Sequence, residues 1–267
     1  MNIVFYSNCQ GNGLKFFLEK VFKNSNFYII KNYELIMYKR PLPKKILNSA
    51  DILIYQPLIN KGIYSTDSDN MLSLLPKKCI KISFPYIYND SLWILLQKNS
   101  DRVLFDKIYL NKDFTQNEII NKESIEILKE RGMSLNEVMV LYRKGKIDFK
   151  FEKRFNRSIS ILKEREQKCD IKVADFILEN FKKHKLFLTH NHPTTCVFIH
   201  CVNQLLSILN NDTCFKLFEY NNNVVKLPGT PFPHTSYEKK FWNLSYNDDF
   251  QNDEIYIDII KYIYNSY

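Results

Sequence analysis

Residues 3–14 read IVFYSNCQGNGL, and this stretch decides the fold. Ile3 to Tyr6 is a short apolar run of strand-favouring residues, it stops at Ser7-Asn8-Cys9-Gln10-Gly11-Asn12-Gly13, and a helical pattern follows from Leu14. In that helix Leu14, Phe17, Leu18, Val21 and Phe22 recur at three- and four-residue spacing and share one face. Similar apolar runs return at 27–30, 52–55, 80–84 and 186–189, several of them followed by helix-period patterns. The alternation predicts an α/β protein: a parallel sheet in three layers, with helices on both faces.

The rest of the chain fits around that body. From about 115 to 182 no convincing strand occurs and the pattern reads as consecutive helices, broken at Gly132 and Gly145, with Ser134-Leu135-Asn136-Glu137 in the form of a capping box. This segment is expected to be a helical insertion, and ILKEREQK within it (residues 161–168) reads as a solvated helix surface without chemistry. A second strand-to-helix corner is expected at KLFLTHNHPTTCVFIHCVNQLL, with Leu186 to Thr189 as the strand, Pro193 as the first helical residue and Asn191 or His192 as its cap. KLPGTPFPH (226–234) reads as a loop, and 253–263 as a closing helix. No repeat and no Gly/Ser linker appears, so residues 1–267 are read as a single domain.

Composition excludes several classes. The chain has 267 residues and 45% hydrophobic content, enough for a core without covalent staples. Its six cysteines show no CxxC or CxxH spacing, which argues against a disulfide framework and a zinc ribbon and for free thiols in a reducing cytoplasm. The amino terminus has neither the basic flank nor the apolar length of a signal peptide, and no stretch reaches the roughly 20 apolar residues of a membrane span. The net charge of +9 is diluted by heavy use of Lys, Asn, Ile and Tyr, with 28 Asn, so it does not point to nucleic acid. One basic stretch stands out, Arg143-Lys144-Gly145-Lys146 with Lys150, Lys153, Arg154 and Arg157; it is either a solvated helix face or a contact for the phosphates of a small anionic ligand.

In open parallel sheets, ligands bind beyond the carboxyl ends of the strands, where both corners are expected. Cys9 would follow a strand at the start of a helix, an environment that favours an anion and makes a thiol nucleophilic. Asn8, Gln10 and the Gly11 N–H would be placed to donate to an oxyanion. Gly11 and Gly13, two of only six glycines, mark a place where backbone turns sharply or approaches a ligand. The spacing fits neither the G-x-G-x-x-G fingerprint, since position 16 is Phe16, nor a P-loop. At the second corner His192 is the candidate general base, with Asn191 orienting it or touching substrate. Only one of His190 and His192 is expected to face Cys9. A competing metal reading joins His192, Cys196 and His200, but no known zinc spacing is matched, and no metal is expected. Gln56, after ADILIY, is the next ligand contact.

With SNCQGNGL, ADILIYQPL, ISFPYIYND, RSISILKEREQKCDIKVADFILENF and LFLTHNHPT in this order between residues 3 and about 209, the chain resembles the WcbI family of capsular polysaccharide biosynthesis proteins. The resemblance implies an α/β fold related in outline to the SGNH hydrolases and binding of coenzyme A or acetyl-CoA. It also implies a role in acetylating a sugar of a capsule or other surface polysaccharide. Cys9 then stands where those hydrolases carry a serine, and Ser7 replaces the family's usual glycine. Asn8, Gln10 and backbone N–H groups would hold the carbonyl oxygen, His192 would take the acceptor's proton, and Arg143, Lys146 and Arg154 would meet the phosphates. The alternatives are an SGNH-like esterase or deacetylase, for which His234 offers a late histidine, and a non-catalytic module that binds coenzyme A or a glycan.

Overall fold

The structure, a computed structural model, describes residues 1–58, 68–97, 119–219, 234–246 and 253–266. In chain order the first elements are β1 (Asn2–Ser7), α1 (Gly11–Val21), β2 (Asn26–Lys31), α2 (Asn32–Met37), α3 (Lys44–Asn48), β3 (Ile52–Tyr55), α4 (Ser68–Ser73) and β4 (Ile80–Ser83). There follow β5 (Leu96–Gln97), β6 (Ile119–Ile120), α5 (Glu123–Glu130), α6 (Leu135–Arg143), α7 (Phe151–Gln167) and α8 (Ala174–Asn180). The last are β7 (Phe187–Thr189), β8 (His192–Pro193), α9 (Thr195–Ile208), α10 (Ser236–Trp242) and α11 (Asp253–Asn265). The chain forms two compact units, one of residues 1–87, 160–178 and 192–227, the other of 88–159, 179–191 and 228–267.

The first unit is built on β1. Ile3, Val4, Phe5 and Tyr6 are all fully buried, so both faces of the strand are covered, as a parallel sheet requires. The strands lie in the order β2-β1-β3-β4 and pair in parallel, with Val4 opposite Tyr28 on one side and Leu53 on the other. One face of the sheet packs Val4, Tyr6 and Leu53 with Leu35 of α2, Leu47 of α3 and Met71 of α4. The opposite face, carrying Phe5, receives α1, which also packs on α9. Helices therefore cover both faces of a parallel four-stranded sheet, as the alternating pattern predicts.

The first corner differs from its expected form in two details. Helix α1 starts at Gly11 rather than Leu14. Its glycines also serve packing rather than an unusual backbone, because among the described residues the only glycines with positive φ are Gly132 and Gly145. A Cβ on Gly11 would lie 2.1 Å from Ser7 Oγ, and one on Gly13 would lie 2.6 Å from the Phe198 ring of α9. Both glycines let α1 sit close on its neighbours.

The second corner is also corrected. The strand is three residues long and lies outside the four-stranded sheet. Helix α9 begins at Thr195 with the extended Thr194 as its cap, so Pro193 and His192 precede the helix in extended backbone. Proline keeps the residue before it extended, and threonine is the natural cap type, which moves the start two residues on.

In the second unit Ser134 and Glu137 form the expected capping box at α6, and α11 packs against α5 and α6. Arg154 is buried there, its guanidinium donating to the carbonyls of Trp93 at 3.0 Å, Phe149 at 3.3 Å and Asp90. Burial pushes its pKa down to about 10 against the opposing charge of Asp90. Glu238 is fully buried and accepts from the N–H groups of Ile94 and Thr235 and from the Thr235 hydroxyl. Residues 226–233, expected to be a loop, lie outside the described residues.

Candidate functional site

The loop after β1 is held from below by two glutamines. Gln10 is fully buried; its Nε2 donates to Ile87 O at 2.7 Å, and its Oε1 accepts from Ile87 N at 3.1 Å, so the side chain pairs with that backbone as a strand would. Gln56, at the end of β3, donates to Gln10 Oε1 at 2.9 Å and accepts from Asn8 N at 2.9 Å. Asn8 Oδ1 in turn accepts from Gln10 N at 2.9 Å, and Gly11 N donates to Asn8 O at 3.2 Å. The expected oxyanion donors Gln10 and Gly11 are thus engaged inside the protein, and with Gln56 they position the loop. Ser7, fully buried, donates to Asn8 O at 2.9 Å and plays the same supporting part.

What the loop presents is Cys9. Its half-buried Sγ lies 3.5 Å from Nε2 of His192, which is only 2% exposed. A thiol and an imidazole 183 positions apart in sequence are thereby in hydrogen-bond contact within the first unit. Cys9 sits just ahead of α1, where the helix dipole favours negative charge on sulfur. Among the buried thiols, burial pushes Cys169 up to about 11 and Cys201 up to about 12, and it raises Cys79 and Cys196. Geometry therefore separates Cys9 from the other cysteines.

Beside this loop a cleft of about 740 Å³ opens at the carboxyl ends of the strands. Asn8 after β1, Asn32 after β2, Gln56 after β3 and Tyr86 after β4 line one side, and Arg165 and Lys168 at the end of α7 line the other. Asn32, 8% exposed, turns toward the cleft at the end of β2. Arg165 donates to Tyr86 O at 3.1 Å and lies 5.0 Å from the Tyr86 ring centroid, so the wall is braced. Cys9 and His192 do not line the cleft themselves; Asn8, next in sequence to Cys9, does.

Several sequence expectations change here. Glu164, Arg165, Gln167 and Lys168 of ILKEREQK, read as solvated surface, form a cleft wall. Their pattern carried no sign of this, since an exposed helix end looks the same whether it faces bulk water or a cleft. Arg154 is engaged by buried carbonyls, which overturns its reading as a phosphate contact; Arg143 and Lys146 are exposed and, like Arg154, belong to the second unit. Asn191 accepts from Thr189 Oγ1 at 3.1 Å, and His190 packs edge-on to Tyr88, both in the second unit. The residues of the metal reading diverge: Cys196 Sγ is 3.2 Å from the Thr194 hydroxyl, while His200 contacts Lys172 O at 3.0 Å and stacks on Phe176. Among the described residues no group of three His, Cys, Asp or Glu is placed to hold a metal ion. His234 lies in the second unit with Nδ1 3.2 Å from the Tyr246 hydroxyl.

A parallel four-stranded sheet covered by helices, with a thiol–imidazole contact after β1 and a cleft at its strand ends, makes this an α/β protein. The family model for WcbI, the polysaccharide biosynthesis enzyme, matches residues 2–212, and the chain belongs to that family. A solved structure of WcbI has the same fold, with a TM-score of 0.61 and 16% identity over 100% of this chain and 90% of that one. That protein is described as a novel polysaccharide biosynthesis enzyme, in a native form without a disulfide bond between coenzyme A and one of its cysteines. No curated protein matches. Among the described residues no helix is long and apolar enough to cross a membrane.

Proposed function

We propose that this polysaccharide biosynthesis enzyme transfers an acetyl group from acetyl-CoA to a hydroxyl of a sugar in a capsule or other surface polysaccharide. The observation that carries the reading is the contact of Cys9 Sγ with His192 Nε2 at 3.5 Å. The mention of coenzyme A with the solved WcbI structure supports the choice of donor. Acyl transfer needs a group that takes the acceptor's proton, a site that holds the thioester, and cations for the donor's phosphates.

His192 supplies the first. The acceptor oxygen attacks the thioester carbonyl, its proton passes to Nε2, and the C–S bond breaks; the departing thiolate takes the proton back from the imidazolium. In the two-step version Cys9 gives its proton to His192 and attacks the thioester, and coenzyme A leaves as a thiolate that takes that proton. The sugar hydroxyl then passes its own proton to His192 as it attacks the acetyl-cysteine and releases the Cys9 thiolate, which takes the proton back. The cleft supplies the rest, with the Asn8 and Asn32 amides for the pantetheine or carbonyl groups and with Arg165 and Lys168 for phosphates. Arg165 and Lys168 replace the stretch around Arg143 in that role.

Thermal-shift titration of the full chain tests the proposal. Coenzyme A and acetyl-CoA should raise the unfolding temperature in a saturable way, as binding to the folded state alone requires. No shift at millimolar coenzyme A would sink the idea, and a shift with free sugars alone would favour a glycan-binding module.

A further inference from the structure

Four of the exposed large apolar residues of the first unit stand close to one another in sequence, while the others, such as Met1, Ile80 and Ile208, stand apart. Tyr33, Ile36, Met37 and Tyr38 are 38, 41, 64 and 57% exposed, and they fall within six consecutive positions of α2 and its end. Such residues scattered singly need no explanation, but a cluster marks a surface that meets something. Directly after it come four exposed cations, Lys39, Arg40, Lys44 and Lys45. The acidic residue within the stretch, Glu34, is taken by Lys31 at 2.8 Å, so those four charges stand uncompensated on their own segment. Arg40 lies 5.0 Å from the Tyr38 ring centroid, which joins the apolar and basic parts into one surface. Beneath it, Leu35 and Leu47 anchor the segment to the sheet.

We propose that this surface docks the protein on an anionic lipid bilayer, with Ile36, Met37 and the two tyrosines entering the interface and the four cations meeting lipid phosphates. The combination is the one that binds a leaflet: aliphatic and tyrosine side chains for the headgroup boundary, flanked by Lys and Arg. Two other occupants fit worse. A second copy joined by a two-fold axis would set Lys39, Arg40, Lys44 and Lys45 against their own counterparts in a chain already at +9. A nucleic acid backbone offers no apolar phase for Ile36 and Met37. Asn32, the first residue of α2, lines the cleft, so docking through α2 brings one rim of the ligand site to the membrane. A glycan acceptor carried on a lipid would be met there.

Co-sedimentation of the full chain with phosphatidylcholine vesicles, with and without phosphatidylglycerol, tests this. The protein should pellet with the anionic vesicles and stay in solution with the neutral ones. Each cation beside an anionic leaflet strengthens partitioning about five-fold, so Lys44→Glu/Lys45→Glu should weaken it at least twenty-five-fold. Met37→Ser/Tyr38→Ser should weaken it as well, and should leave the coenzyme A thermal shift unchanged. Insertion is read separately with Met37→Trp, whose emission should shift to the blue on anionic vesicles over the constant background of the buried Trp93 and Trp242. Equal binding to neutral vesicles, full binding by Met37→Ser/Tyr38→Ser, or no blue shift would each overturn the proposal. So would a wild-type dimer that the serine substitutions dissociate.

Discussion

Replacing Gly11 with alanine puts a methyl carbon 2.1 Å from the Ser7 Oγ, where ordinary contact begins near 3.4 Å. The two groups must separate by about 1.3 Å, and neither is free to do so. Ser7 is fully buried at the end of β1 with its hydroxyl bonded to Asn8 O at 2.9 Å, and α1 is pinned by Gly13 against the Phe198 ring. Rotating the serine away forfeits that bond, worth roughly 1 kcal/mol, and shifting the helix strains the core, at about 1–3 kcal/mol for such overpacking. The better helix propensity of alanine returns at most about 1 kcal/mol. A net loss of about 2 kcal/mol follows for Gly11→Ala. Ser7→Gly removes the obstructing atoms, so in that background Gly11→Ala should keep only its propensity gain of at most about 1 kcal/mol, and the double-mutant cycle should show a coupling of about 2–3 kcal/mol. Urea denaturation followed by circular dichroism measures all four proteins. A Gly11→Ala protein as stable as wild type, or a cost unchanged by Ser7→Gly, would refute the steric account of the glycines.

Four further outcomes follow from the site and its surroundings. Arg154→Met should destabilise the second unit by about 3 kcal/mol, because Asp90 loses its buried counter-charge, while leaving the coenzyme A affinity alone. Arg165→Met should do the reverse, weakening coenzyme A about ten-fold in calorimetry at a stability cost below about 1 kcal/mol, and a swap of these effects would return the phosphates to the Arg143–Arg157 stretch. His192→Ala should slow alkylation of Cys9 by iodoacetamide at neutral pH; an unchanged rate would mean that the imidazole does not assist the thiol. Burial raises the Glu238 carboxyl above its ordinary range. A raised carboxyl stabilises the folded chain below the unfolded value of about 4.3, and that contribution is lost as pH climbs through the folded value. The stability difference between wild type and Glu238→Ala should therefore shrink as pH rises above about 4 in urea titrations, and a constant or growing difference would contradict the shift.

How far the sequence could be read depended on whether local pattern or distant packing set each feature. The run IVFY is buried on both faces, and the apolar spacing of α1 points Leu14, Phe17 and Leu18 inward, so sheet and first helix were legible from hydrophobicity alone. Cys9 at the end of β1 followed from the same pattern, but the approach of His192 to it did not, because β7 and β8 lie outside the four-stranded sheet and only the folded chain brings the two together. The cause of the glycines was not legible, since nothing near Gly13 in sequence announces Phe198. Gln10 carries the residue type of an oxyanion donor, yet its amide is consumed by Ile87, a partner that only the folded chain supplies. Arg154 and Arg165 lie on one helix with the same chemistry, and burial alone separates the structural cation from the one in the cleft.

The central claim is that the Cys9–His192 contact acts on a thioester of coenzyme A, and the distance from the coenzyme A sulfur to Cys9 Sγ in a crystal of the complex tests it most directly. The sulfur should lie within about 4 Å of Cys9 Sγ and of His192 Nε2, close enough for proton and acyl transfer. The phosphates should lie on Arg165 and Lys168. A coenzyme A whose sulfur points away from both side chains would contradict the claim.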